Sequence, residues 1–133
     1  MITLSTSARI LAKPRPRFSR TSSHAYVPGN YRELKRELVS EFEGQFNADP
    51  LDGAVSIDVH FVSPRKRMGD LEQLFGTIAD ALESAGVVYD DVQFAQISIS
   101  HELGDKHFCM IELEELPEEY AQFYVDKVTR KKV

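Results

Sequence analysis

Four acidic residues in two clusters are the side chains of this chain best suited to chemistry. Asp70-Leu71-Glu72-Gln73 is followed about twenty residues later by Asp90-Asp91. Two acidic clusters joined by one amphipathic helix can converge on a hard divalent cation, because Mg²⁺ takes oxygen ligands and keeps positions for water and phosphate oxygens. Such an arrangement suits the hydrolysis of a phosphodiester. The same residues also have structural uses. Asp70 with Gln73 matches a capping box, and Glu72 in a first turn suits the helix dipole. Asp90-Asp91 fits a polar turn leading into a strand. Capping does not exclude ligation, so both readings stand. The four histidines (His24, His60, His101, His107) contain no pair at metal-ligand spacing.

The elements that must position these acids alternate along the chain. Residues 2–11 read as an opening strand, with Ile2, Leu4, Ile10 and Leu11 as its apolar positions. Lys13-Pro14-Arg15-Pro16-Arg17 must be extended, because each proline pushes its predecessor out of the helical region. This opens a basic arm over about residues 12–26. Asn30 is placed to cap a helix over about 31–46, with Leu34, Leu38, Val39, Phe42 and Phe46 inward. Residues 54–62 alternate as a strand with Val55, Ile57, Val59 and Phe61 on one face. A second helix is expected over about 71–85, where Leu71, Leu74, Phe75, Ile78 and Leu82 recur at helical spacing and Gly86 supplies the stop. Strands over about 92–100 and 106–114 surround a turn containing Gly104-Asp105, the pattern of a hairpin. A last helix is expected after Pro117, carrying Tyr120, Phe123, Tyr124 and Val128. The expected fold is α/β (α+β): one domain over 1–133, a mixed sheet with two or three helices.

With 133 residues, 42% of them hydrophobic, the chain can bury one core. Its single cysteine, Cys109, sits in the apolar run Phe108-Cys109-Met110-Ile111, suits a small buried thiol, and points to a reducing, cytoplasmic setting. No apolar run approaches the roughly 20 residues that span a bilayer, and the N-terminus lacks the order of a signal peptide, so a soluble protein without a membrane partner is expected. The net charge of −5 argues at first against a polyanionic partner. Its distribution reverses that impression. Residues 1–40 hold eight basic and two acidic side chains, a balance of +6, whereas the remainder holds eight basic and nineteen acidic, a balance of −11. A basic contact surface on an acidic body is the functional reading, and a solvated basic loop is the plain one.

Several blocks together carry a resemblance. Lys13-Pro14-Arg15-Pro16-Arg17-Phe18-Ser19-Arg20, Tyr26-Val27-Pro28, Gly69-Asp70-Leu71-Glu72-Gln73-Leu74, Asp80-Ala81-Leu82 and Gly86-Val87-Val88-Tyr89-Asp90-Asp91-Val92-Gln93-Phe94 occur in this order. In order and spacing, over residues 10–113, the chain resembles the RusA family of Holliday junction resolvases. The resemblance implies a small homodimeric endodeoxyribonuclease of bacterial or phage origin. It would be Mg²⁺-dependent, with Mn²⁺ as an alternative, and would bind four-way junction DNA and nick two strands symmetrically in recombination and repair. It also places Asp70, Glu72 and Asp91 on the family's three carboxylate positions, making them the implied catalytic metal ligands, with Asp90 as an alternative ligand. A dimer has two-fold symmetry and would read the junction by shape, presenting two sites to two arms.

Lys13, Arg15, Arg17 and Arg20 of the arm are the candidates for DNA-backbone contacts, because phosphate binding needs charge and reach rather than base-reading geometry. Phe18 or Tyr26 could stack at the junction centre. The chain departs from the family at three places. Glu72-Gln73 stand where the family usually has the shorter Asp-Asn, Gly76 stands where it places a lysine, and His101 where it often has another. Losing a cation near a reacting phosphate lowers rate by orders of magnitude, so Gly76 puts the activity itself in question. Arg65-Lys66-Arg67 could supply replacement charge and DNA contacts from the loop before Asp70. Two other functions fit the sequence: a dimeric junction-binding protein with impaired catalysis, and a small protein-interaction module using the acidic segment from Glu112 to Glu119.

Overall fold

A computed structural model describes residues 1–14, 17–18, 25–26, 29–66 and 69–119. Arg15, Arg20, Arg67 and the expected last helix lie outside the described residues. For Arg17, Phe18 and Tyr26 only the backbone is described, in the short antiparallel pair β2 (Arg17–Phe18) and β3 (Ala25–Tyr26).

The frame is a four-stranded mixed sheet of β1 (Ile2–Thr6), β4 (Val55–Ser63), β5 (Phe94–Leu103) and β6 (Phe108–Glu115), in the order β1-β6-β4-β5. β4 runs parallel to β5 and antiparallel to β6, and β1 pairs antiparallel with β6. Helices α1 (Gly29–Gln45) and α2 (Leu71–Ser84) pack with it. The parallel β4–β5 pair requires a crossover, and α2 is that crossover.

One face of the sheet carries the core. Val55, Ile57, Val59 and Phe61 of β4 join Cys109, Ile111 and Leu113 of β6 and Leu4 of β1. Leu34, Leu38 and Phe42 of α1 and Leu74, Ile78, Ala81 and Leu82 of α2 close over them. Each large side chain so buried contributes roughly 1.5–3 kcal/mol. The helix period and the strand alternation thus place the inner faces as the sequence expects. Cys109 is fully buried, and burial pushes its thiol up to about 12.

Four expectations need correction. The opening strand stops at Thr6 rather than running to residue 11, because Thr6 Oγ1 accepts a bond from Ala8 N (3.1 Å) and turns the chain. Helix α1 begins at Gly29, so Asn30 lies within its first turn instead of preceding it. Residues 91–93 are a 3₁₀ turn, not strand. Finally, β5 and β6 do not form a hairpin, because β4 lies between them.

The link from β5 to β6 crosses the end of β4. Gly104 N donates to Ser63 O (3.0 Å), and a Cβ at Gly104 would lie 2.5 Å from Val62 Cγ1. Only glycine lets the backbone pass this close. β5 itself slips register by one residue between Val55 and Ser56 of β4, leaving Ala95 unpaired. That bulge brings Phe94 into phase with Ile97 and Ile99, which explains why the apolar residues of this strand do not alternate strictly.

Candidate active site

α2 starts because Asp70, in an extended conformation, accepts a bond from Glu72 N on its Oδ1 (2.9 Å). It stops at a full Schellman closure: Gly86 N donates to Glu83 O, Val87 N donates to Leu82 O, and Gly86 has a φ of 79°. Glu72, Gly76, Asp80 and Glu83 follow one another at helical spacing, so they share a face of this helix. Asp70 and Glu72 are exposed at its first turn.

The second acidic cluster is held by a buried amide. Gln93 is fully buried, and Tyr89 N and Asp90 N donate to its Oε1 at 2.7 and 3.0 Å. Its Nε2 donates to Leu51 O and Gly53 O at 2.8 and 2.9 Å. Asp90 caps the 3₁₀ turn Asp91–Gln93, accepting from Val92 N (3.0 Å), and with Gln93 it completes a capping box. The capping pattern read at Asp70 therefore recurs in sequence at Asp90, where its reciprocal form is realised.

This anchoring sets Asp91 beside other acids. A hydrogen bond with Asp90 holds the Asp91 carboxyl above its usual value, with burial and the charges of Asp90, Glu83 and Asp80 adding to it. Phe75 of α2 meets Phe94 edge-on, ring centres 6.0 Å apart, which joins the helix to the strand following the turn. On the far side of the group, Lys13 Nζ lies 3.1 Å from Asp80 Oδ2, and Tyr31 OH donates to the same oxygen at 3.4 Å. The bond to Asp80 raises the Lys13 ammonium, and burial raises the Tyr31 phenol.

In the sequence, Asp80 and Gln93 stand only within the blocks that carry the resemblance, with no site role, and Tyr31 stands in none of them. Asp80 was findable, because it lies two turns after Glu72 on one helix face. Gln93 was findable as the fourth residue of Asp90-Asp91-Val92-Gln93, although its partners Leu51 and Gly53 are some forty residues away. Tyr31 gave no comparable signal.

The expected ligands are only partly brought together. Asp90 and Asp91 are adjacent and interacting, whereas Asp70 and Glu72 lie at the start of α2. Among the described residues no three His, Cys, Asp or Glu side chains form a ready metal cage. The donor chemistry nevertheless fits Mg²⁺, which is usually bound through one or two carboxylates with water and substrate phosphate filling the rest. Asp91, made reluctant to ionise by Asp90, is a group whose charge a cation would relieve.

Of the loop cations, Arg65 and Lys66 are exposed, and Arg65 N donates to Ser63 Oγ (3.0 Å). Arg65 borders a notch of about 110 Å³ that Arg9, Ser63 and His107 also line. His101 pairs in register with Phe61, and its Nε2 is buried without a hydrogen-bond partner among the described residues.

Comparison with known proteins covers the same elements. Residues 8–114 match the family model described as endodeoxyribonuclease RusA. The chain is 26% identical over 66 residues to the crossover junction endodeoxyribonuclease RusA of Aquifex aeolicus (strain VF5), a stretch covering 50% of this chain and 52% of that protein. The match thus spans about half the length of this curated relative.

Proposed function

This chain belongs to the RusA endodeoxyribonuclease family, and on that premise we propose that it is a divalent-metal-dependent nuclease resolving four-way DNA junctions as a homodimer. The observation that carries this reading is the family match across residues 8–114, which contains both acidic clusters, the connecting helix and the basic arm. Mg²⁺, or Mn²⁺ in its place, would be held by Asp70, Glu72 and Asp91, with Asp90 as partner or alternative. A metal there would neutralise the scissile phosphate and lower the pKa of a bound water.

The chain's own residues supply position and charge. Gln93 fixes the turn that carries Asp90 and Asp91, and the Asp70 cap fixes the first turn of α2. Lys13, Arg15, Arg17, Arg20, Arg65, Lys66 and Arg67 would meet backbone phosphates, which orient DNA without reading its sequence. Two copies related by a two-fold axis would place two such sites on opposed strands, giving paired, symmetric nicks.

A second reading is favoured by Gly76 within α2 and by the spread of the acids along it: a dimer that binds junctions without cutting them. Cleavage of a labelled synthetic four-way junction, with Mg²⁺, Mn²⁺ or EDTA, decides between the two. Paired nicks abolished by EDTA support the nuclease. Junction-selective binding without nicks in either metal supports the second reading, and equal affinity for junction and linear duplex contradicts both.

A further inference from the structure

The segment leading into the basic arm is tied to α2 at two points. Thr77 Oγ1 donates to Leu11 O at 2.6 Å, and Lys13 N donates to Gln73 O at 3.1 Å. Beneath this segment α2 presents Gly76, and a Cβ there would meet Lys13 Cβ and Cδ, each at 3.5 Å. The aliphatic stem of Lys13 therefore lies on the helix where the helix has no side chain. Its ammonium ends on Asp80, with Nζ 3.2 Å from Oδ1 and 3.1 Å from Oδ2. It also lies within the field of Asp91.

An ion pair with the lysine side chain 51% exposed and the aspartate 23% exposed adds little to the fold. What the arrangement does achieve is to hold one positive charge, open to solvent, at the edge of the acidic group. We propose that Lys13 is the cation of the cleavage site. Laid across Gly76 and tethered at Asp80, its ammonium contacts the phosphate being hydrolysed rather than a remote phosphate along the arm.

This deepens the nuclease reading and rests on it. In hydrolysis, water oxygen bonds to phosphorus and gives up one proton to solvent, the bond from phosphorus to the leaving 3′-oxygen breaks, and that oxygen takes up a proton from solvent. Lys13 keeps its own protons and donates a hydrogen bond to a non-bridging oxygen, where charge builds up in the transition state.

Single-turnover cleavage of a labelled four-way junction in Mg²⁺ tests the assignment, alongside junction affinity in EDTA and thermal melting. The proteins are wild type, Lys13→Met and the double variant Lys13→Ala/Gly76→Lys. Lys13→Met is expected to cut about 100-fold more slowly, to lose less than about tenfold in affinity as one phosphate contact, and to melt close to wild type. In the double variant, a lysine stem starts beside the path that Lys13 occupies, and cleavage is expected to recover to within about tenfold of wild type. Should Lys13→Met fail to fold, Lys13→Gln keeps most of the stem and a polar end without the charge and carries the same expectation.

A wild type that cuts, beside a Lys13→Met that cuts within about threefold of it, overturns the assignment alone. Equal losses of rate and of affinity in EDTA also overturn it, since they mark a remote backbone contact. A wild type that cuts in no metal overturns the nuclease reading and this assignment with it.

Discussion

Asp91 is held in an unfavourable place by residues that could have been arranged otherwise. Asp90 bonds to it, and Glu83 and Asp80 add like charge, so its carboxyl binds its proton more tightly than an ordinary aspartate. A carboxyl raised in the folded state contributes stability at low pH that is lost as pH rises through the folded value. Asp91→Asn is therefore expected to melt higher than wild type at neutral pH in EDTA. That advantage should shrink as pH falls through the raised folded value and be gone below about pH 3.9, where the unfolded carboxyl is also protonated. Melting curves across pH check this, and a variant no more stable than wild type at pH 7 contradicts it. Asp70 separates into two roles by substitution. Asn caps a helix about as well as Asp, so Asp70→Asn should keep stability and lose metal-dependent cleavage, whereas Asp70→Ala should also lose about 1 kcal/mol of stability by denaturant titration. Gln93→Leu strands two carbonyls and two amides and should cost at least about 2 kcal/mol. The cap at Asp70 was legible because its partner is two residues away. The role of Gln93 was only half legible, since two of its four bonds reach a distant loop.

At the level of elements, the helices and strands follow from periodicity because each has one buried face, and α2 carries both start and stop signals in its own residues. Strand neighbours do not follow in the same way. Phe94 to Glu115 reads as a hairpin locally, yet β4 has its whole inner face buried and takes the central position between β5 and β6. The trace of this in the sequence is Gly104, whose need becomes visible only when Val62 is seen beside it. Gly104→Ala should destabilise by about 1–3 kcal/mol through overpacking. Gly104→Ala/Val62→Ala should recover part of that loss because the obstructing methyl is gone, and melting of the two variants compares them. Gly76 illustrates the same limit. From sequence it is a missing cation; in the fold it is the floor on which a cation from a different segment rests.

For the whole molecule, the segregation of charge is the property most readable without a structure. Lys13, from the basic excess of residues 1–40, meets the acidic group at α2. On the sheet face away from α1 and α2, His60 bonds Ser100 Oγ (2.6 Å) and Glu102 Oε2 (2.9 Å), and Asp58 pairs in register with Glu112. Under the proposed function, the cations of the arm and of the loop before Asp70 neutralise phosphates. Junction affinity should therefore fall with salt. Arg65→Ala/Lys66→Ala, which removes two cations from each protomer of a dimer, should reduce the slope of log affinity against log salt by about 4 if all of them meet phosphates. No helix among the described residues is long and apolar enough to cross a membrane. If Asp91 holds the metal, binding and cutting separate at the acidic group. The most direct measurement is single-turnover cleavage of a four-way junction in Mg²⁺ by wild type and Asp91→Asn, with junction affinity measured on both. Paired nicks from wild type, with tight binding and no nicks from Asp91→Asn, are predicted. Equal cleavage by the two proteins would contradict the account, because the metal-holding acid would then lie elsewhere.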